Sequence, residues 1–214
     1  FGQYTQIPDP NFEQAIIDAG WDNTLDGQVL TAIISIQTSF SFDNSDISDI
    51  TGIEAFSALE SLFIYNTSLT SFDISQNTAL MGLYCEGNPL TSLDVSQNSA
   101  LTYLRCSSSQ LTSLDVSQNT ALGGLDCRDN QLTSLDISQN TALGGLDCRD
   151  NQLTSLDISQ NTALTSLNCG GNQLTSFDVS QNTALQGLGC GGNQLTGIDL
   201  TQNNLITELT IGGP

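Results

Sequence analysis

A mainly β repeat solenoid with a small helical N-terminal cap is the fold this sequence predicts, and three observations predict it. Leu69, Leu90, Leu111, Leu132, Leu153, Leu174 and Leu195 recur every 21 residues, with no insertion between them. Within each unit, two short stretches alternate apolar and polar residues with a period of two, as half-buried strands do. The first 46 residues lack this period and carry helix start and stop signals instead. A fixed period of this length marks an architecture in which one unit cannot bury its own apolar face and stacks on its neighbours to do so.

The unit from Leu122 to Ala142 reads LGGLDCRDNQLTSLDISQNTA. Its first part, L-x-x-L-x-C-x-x-N-x-L, is the leucine-rich repeat signature with Cys in the third apolar slot. In L-x-x-L-x-C the Leu and Cys side chains point inward and the residues between them outward. Stacked in a right-handed coil, these strands make a parallel sheet on the concave side, with neighbours about 4.8 Å apart. The second part, L-T-S-L-D-[VI]-S, also alternates, with Leu135 and Ile137 inward and Asp136 outward. Strand-like or extended segments are therefore expected on the convex side, with turns at C-x-x-N and S-Q-N-T.

Before the regular array comes an irregular unit from Ile47 to Ser68, and before that a degenerate coil around Phe40–Ile47. The expected division is a cap over residues 1–46 and repeats over 47–214. In the cap, Asp9-Pro10 supplies an N-cap and a proline at the first helical position, with Glu13 early and Gly20 as the stop. Phe12, Ala15, Ile16 and Ala19 form the apolar stripe that plugs the first coil. The last unit breaks off at ITELTIGGP, so the chain is expected to be monomeric or to self-associate weakly through that end.

These repeats, with the lead-in IPDPNFEQAIIDAG, LDGQVLT and ISDITGIEAFSALESL, resemble the secreted leucine-rich repeat proteins of Bacteroidetes-type bacteria, in an internalin-like arrangement. The resemblance covers nearly the whole chain. It implies an extracellular or surface-attached binding and adhesion protein, and it brings no shared catalytic motif.

Composition narrows the partners. The net charge is −20, from 23 acidic and 3 basic residues. Phosphate-backbone binding needs clustered Lys and Arg, so nucleic acid is not expected. An anionic membrane surface repels such a chain, and no apolar run is long enough to insert. Polarity comes mostly from Asn, Gln, Ser and Thr, and the start FGQYTQIPDP is no signal peptide, so the reading is of a mature secreted or cell-surface chain.

Four columns repeat at the same period. Cys85, Cys106, Cys127, Cys148, Cys169 and Cys190 stack with parallel Cα–Cβ vectors, which disfavours disulfides and favours buried, reduced thiols acting as small hydrophobes. Asn88, Asn130, Asn151, Asn172 and Asn193, with Ser109 once in their place, and a second column from Asn77 to Asn203, are expected to satisfy turn backbone. Asp73, Asp94, Asp115, Asp136, Asp157, Asp178 and Asp199 put one carboxylate on every coil. At about 4.8 Å spacing, neighbours repel by roughly 1 kcal/mol in water, so nearby hydroxyls and amides, or calcium, must offset them. No cofactor is expected beyond weak calcium binding along this row. The stretch from Asp22 to Gly27 matches the first half of an EF-hand loop, but Ile33 stands where the closing Glu belongs, so it reads as a polar turn.

An enzyme is not expected. The chain has no His and no Lys, its thiols are predicted buried, and a regular solenoid offers no cleft holding contrasting carboxylates.

Against this strict background the outward residues of the L-x-x-L-x-C strands vary. The first coils carry Phe63, Tyr65, Tyr84, Tyr103 and Arg105, and the middle two carry Asp126, Arg128, Asp129 and then Asp147, Arg149, Asp150. All three arginines fall on this face. Either they only neutralise flanking aspartates, or Tyr and Arg together anchor a ligand. The expected function is a non-catalytic extracellular binding or adhesion module that recognises a protein or glycan through its concave face. The alternative is a structural or ice-binding surface built on the opposite row, Thr70, Thr91, Thr112, Thr133, Thr154, Thr175 and Thr196.

Overall fold

A computed structural model describes residues 2–212 as a parallel-sheet solenoid of leucine-rich repeat type. The cap comes first. Strand β1 (Tyr4–Gln6) leads into helix α1 (Pro10–Asp18), followed by β2 (Gln28–Leu30) and the single turn α2 (Thr31–Ile34). Asp9 caps α1, its Oδ1 accepting from the N–H groups of Asn11 and Phe12 at 2.8 and 3.2 Å, and Pro10 holds the first helical position. The other carboxylate oxygen of Asp9 accepts from the N–H groups of Ser48 and Asp49, pinning the helix to the first coil. Phe12 and Ile16 are fully buried and Ala15 partly so, as the stripe requires, but Ala19 is exposed because the helix ends there. β1 and β2 pair as a short antiparallel ribbon that the sequence pattern does not announce.

The large sheet has nine parallel strands in chain order. It runs through β3 (Ser39–Asp43), β4 (Ser61–Tyr65), β5 (Gly82–Tyr84), β6 (Tyr103–Arg105), β7 (Gly124–Asp126), β8 (Gly145–Asp147), β9 (Ser166–Asn168), β10 (Gly187–Gly189) and β11 (Glu208–Thr210). The register never slips: Leu83, Leu104, Leu125, Leu146, Leu167 and Leu188 are mutual partners across the ladder. A one-residue slip would turn every buried Leu to solvent, so the core fixes the register. Most strands are only three residues long, and the second part of each coil is extended without forming a ladder of its own. It is held by about one interstrand hydrogen bond per coil, such as Gln131 N–H to the Leu111 carbonyl. Leu135 and Ile137 are buried there and Asp136 is exposed.

The core is one continuous file of Leu, Ile, Val and Cys, closed at the cap end by Phe12, Phe40, Phe42 and Phe56 in mutual ring contact. All six cysteines are free and buried within it. Burial, with the neighbouring Cys190 thiol adding to it, pushes the Cys169 thiol up to about 12, so it stays protonated and acts as packing.

Both asparagine columns serve the backbone. Asn119 Nδ2 donates to the Val95 and Asn98 carbonyls of the preceding coil, each at 2.9 Å, and the same pair of bonds recurs at Asn98, Asn140, Asn161, Asn182 and Asn203. On the other turn, Asn130 Nδ2 donates to the Cys106 and Cys127 carbonyls while its Oδ1 accepts from Leu111 N–H. Each amide thus fastens its coil to the one before it, because buried turn carbonyls have no water to turn to.

Candidate binding face

The outward side of the sheet and the turns that follow it bring together the aromatic and charged residues that vary between the L-x-x-L-x-C strands. Phe63 and Tyr65 stand on β4, Tyr84 on β5, Tyr103 and Arg105 on β6, Asp126 on β7 and Asp147 on β8. Arg128, Asp129, Arg149 and Asp150 follow in the turns after β7 and β8. Alternation does this without further help, since residues either side of an inward Leu point outward.

The aromatic residues form a stack. Phe63 and Tyr84 lie nearly parallel with ring centroids 4.5 Å apart, and Tyr84 and Tyr103 follow at 5.4 Å. Strand spacing sets these distances, so the rings face one another along the solenoid rather than facing solvent. Tyr103 completes the row by covering Gly124, where an added Cβ would come within 2.5 Å of the ring. Both faces of Tyr84 and of Tyr103 are therefore occupied, as is the face of Phe63 toward Tyr84.

Next to it runs a chain of ion pairs. Arg105 reaches Glu86 and Asp126, Arg128 reaches Asp126, Asp129 and Asp147, and Arg149 reaches Asp147 and Asp150. All seven contacts fall between 3.4 and 3.9 Å, longer than the ~2.7–2.9 Å of a tight charge-assisted hydrogen bond. Every guanidinium has carboxylate neighbours, and five carboxylates surround three cations. Asp126 is nearly buried between Arg105 and Arg128. Burial raises Asp147 above the usual carboxylate range in spite of the two arginines beside it.

Between the stack and β9 lies a shallow trough of roughly 530 Å³, floored by Gly124 and Gly145 and bordered by Tyr103, Ser166 and Asn168 and by two arginines, Arg105 and Arg128, against two aspartates, Asp126 and Asp147.

One feature of this face was not legible as a site. The residue before each turn asparagine, or before the Thr67 and Ser109 that take its place, adopts a left-handed backbone at Asn66, Gly87, Ser108, Asp129, Asp150, Gly171 and Gly192. Asp129 (φ 54°) and Asp150 (φ 55°) stand where three coils use glycine. That glycine alternation was the available signal. A left-handed conformation costs a residue bearing a Cβ roughly 1 kcal/mol, and here it holds two half-exposed carboxylates at the rim.

The opposite side of the coil is uniform. Each aspartate of its row accepts from the backbone N–H two residues on, as Asp94 does from Ser96 at 2.9 Å and Asp136 from Ser138 at 2.9 Å. Those backbone bonds hold Asp73, Asp94, Asp115, Asp136, Asp157 and Asp199 below the usual carboxylate range. In the cap, the half-EF-hand stretch is a turn organised from upstream: Glu13, nearly fully buried, accepts at one oxygen from the N–H groups of Asp26, Gly27 and Gln28. Glu13, Asp22 and Asp26 bring carboxylate oxygens within 4.8 Å of one another there.

Comparison with solved structures agrees with this geometry. The functional domain of InlJ from Listeria monocytogenes, which includes a cysteine ladder, superposes with a TM-score of 0.92 at 40% identity over 99% of this chain and 48% of that one. The fold is that of a leucine-rich repeat solenoid, similar to the internalins. A leucine-rich repeat protein of Leptospira interrogans matches at TM-score 0.78 and 26% identity over 85% of this chain and 50% of that one. Internalin C2 of L. monocytogenes, at TM-score 0.84 and 21% identity over 98% of this chain and 97% of that one, shares the fold. The chain thus spans about half the length of the first two. No family model and no curated protein matches it. Among the described residues no helix is long and apolar enough to cross a membrane.

Proposed function

We propose that this chain is a non-catalytic, extracellular binding and adhesion module, and that the outward face of its sheet recognises a protein. The leucine-rich repeat neighbours support protein binding in general. The observation that carries the choice of face is the contrast between its two sides: the convex row repeats one residue and satisfies it by a hydrogen bond within its own turn, whereas the sheet face changes from aromatic to ionic along its length.

The aromatic stack favours protein over glycan. A pyranose ring is gripped by an exposed aromatic face, and both faces of Tyr84 and Tyr103 lie against a neighbouring ring or over Gly124. Ring edges with tyrosine hydroxyls, beside arginines, are the composition of protein hot spots. No carboxylate pair on this face is set in a closed cleft, and the buried thiols are not activated, which supports the non-catalytic reading.

The test is adhesion of the fluorescent chain to cells from candidate host surfaces and to immobilised extracellular-matrix proteins. Triple replacement of Phe63, Tyr84 and Tyr103 by Ala should abolish adhesion, while the pair Asp136→Asn and Asp157→Asn should leave it unchanged. Adhesion that survives loss of the three rings would refute the assignment to this face.

A further inference from the structure

The N-terminal cap gathers three carboxylates in a stretch of chain that contains no basic side chain. The three arginines stand at positions 105, 128 and 149, and the sequence has no Lys and no His. Glu13 on α1, with Asp22 and Asp26 in the loop before β2, nevertheless brings carboxylate oxygens within 4.8 Å of one another. Like charges at that distance repel, and the repulsion grows as water is excluded.

Two of these groups are withdrawn from water without being fully satisfied. Glu13 is only 2% exposed. Its Oε1 accepts from the N–H groups of Asp26, Gly27 and Gln28 at 3.0, 2.7 and 3.1 Å, while its Oε2 takes no hydrogen bond among the described residues. Asp22 Oδ2 is likewise enclosed, with no partner among the described residues. Glu86 Oε2 is enclosed too, but Arg105 reaches that carboxylate at 3.4 Å. The cap has no such counter-charge of its own. Buried charges are paired or coordinate a metal, because an enclosed anionic oxygen with neither is strongly unfavourable.

The chemistry of the donors selects the ion. An oxygen-only set favours a hard cation over zinc or copper. Ligands on opposite sides of calcium, at ~2.3–2.6 Å each, stand up to about 5 Å apart, a span these carboxylates match, whereas magnesium at ~2.0–2.1 Å demands a tighter octahedral set. The stretch from Asp22 to Gly27 follows the first half of a calcium loop, with Gly27 left-handed at φ 84°. The closing carboxylate that Ile33 cannot supply downstream is supplied in space by Glu13, from the helix upstream.

We propose that Glu13, Asp22 and Asp26 form a calcium site that ties α1 to the loop before β2. Glu13 serves twice: Oε1 shapes the loop through its amides, and Oε2 is left for the ion. Asp26 is exposed, so the ion enters from the solvent side and keeps water among its ligands. Its dissociation constant should be on the order of 10⁻⁴–10⁻³ M, the range of extracellular modules.

Trp21, the chain's single tryptophan, precedes Asp22 and serves as a local reporter. Terbium, which shares calcium's size and oxygen preference, should luminesce on the full chain when tryptophan is excited selectively, and calcium should displace it. Asp22→Asn and Glu13→Gln should each weaken binding roughly tenfold or more. Asp136→Asn with Asp157→Asn, a larger charge change on the convex row, should leave it unaltered. At ~10 mM calcium the parent chain should melt about 3–6 °C higher, and Asp22→Asn should lose that rise. Should Glu13→Gln unfold the cap, Asp22→Asn carries the test, since Asp22 Oδ2 has no hydrogen bond to lose.

Luminescence that survives Asp22→Asn, or that falls equally with the convex pair, would reveal diffuse counter-ion binding and overturn the site. A parent chain that stays dark with terbium, or that magnesium stabilises as much as calcium does, would overturn it as well.

Discussion

The two sides of each coil face the same problem, a file of like residues at strand spacing, and solve it differently. On the convex side Asp136 and its equivalents are silenced locally: each takes a backbone N–H from its own turn, so the row would work with any number of coils. On the sheet side the charges are settled between coils, with Arg128 reaching forward to Asp147 and Arg105 to Asp126. Local settlement permits uniformity, whereas settlement between coils makes each residue depend on its neighbours and gives the face a sequence of its own. Repetition here reports structure, and departure from repetition reports a candidate site.

The comparison is broken most severely from inside. Asn119→Ala strips two bonds from the buried carbonyls of Val95 and Asn98 and should destabilise the chain by about 2–4 kcal/mol, seen as a lower midpoint in urea. Arg128→Ala combined with Arg149→Ala removes long, part-exposed contacts and should cost no more than about 1 kcal/mol by the same measurement. A loss as large as that of Asn119→Ala would mean that the ion-pair chain is part of the fold's support. Asp150→Gly should raise stability by up to about 1 kcal/mol, because glycine takes the left-handed turn without strain; the urea midpoint checks this.

The smallest effect concerns pH. The convex aspartates are held below their unfolded ionisation range, so their contribution is present above the unfolded value near pH 4 and is lost as pH falls through the lower, folded value. Asp147 is displaced the other way, so in isolation its ionisation should lower stability as pH rises through the unfolded value toward the folded one. Urea midpoints compared from pH 2 to 6 for Asp147→Asn and Asp136→Asn should show these opposite slopes.

Much of this was legible in the sequence because the period ties spacing to position. Leu83 through Leu188, the cysteine column and both asparagine columns sit where alternation and period placed them. The outward aromatic and charged residues followed from the same rule. What was not legible depended on three-dimensional neighbours. The antiparallel pairing of Tyr4–Gln6 with Gln28–Leu30 joins two stretches too short to carry a pattern. Glu13 read as a first-turn acidic residue and is instead a buried acceptor for the amides of residues 26 to 28. The mutual stacking of Tyr84 and Tyr103 depends on ring orientation, which no spacing encodes.

The asparagine clamps carry one more consequence. Because each donates backward, to carbonyls that the preceding coil already presents, a duplicated stretch of gene arrives with the fastener that joins it to its predecessor. The identical stretches from residues 122 to 142 and from 143 to 163 are what such copying leaves behind. A lineage can therefore lengthen or shorten the array by whole coils while the joints stay intact, and selection is free to rewrite only the outward letters of each copy.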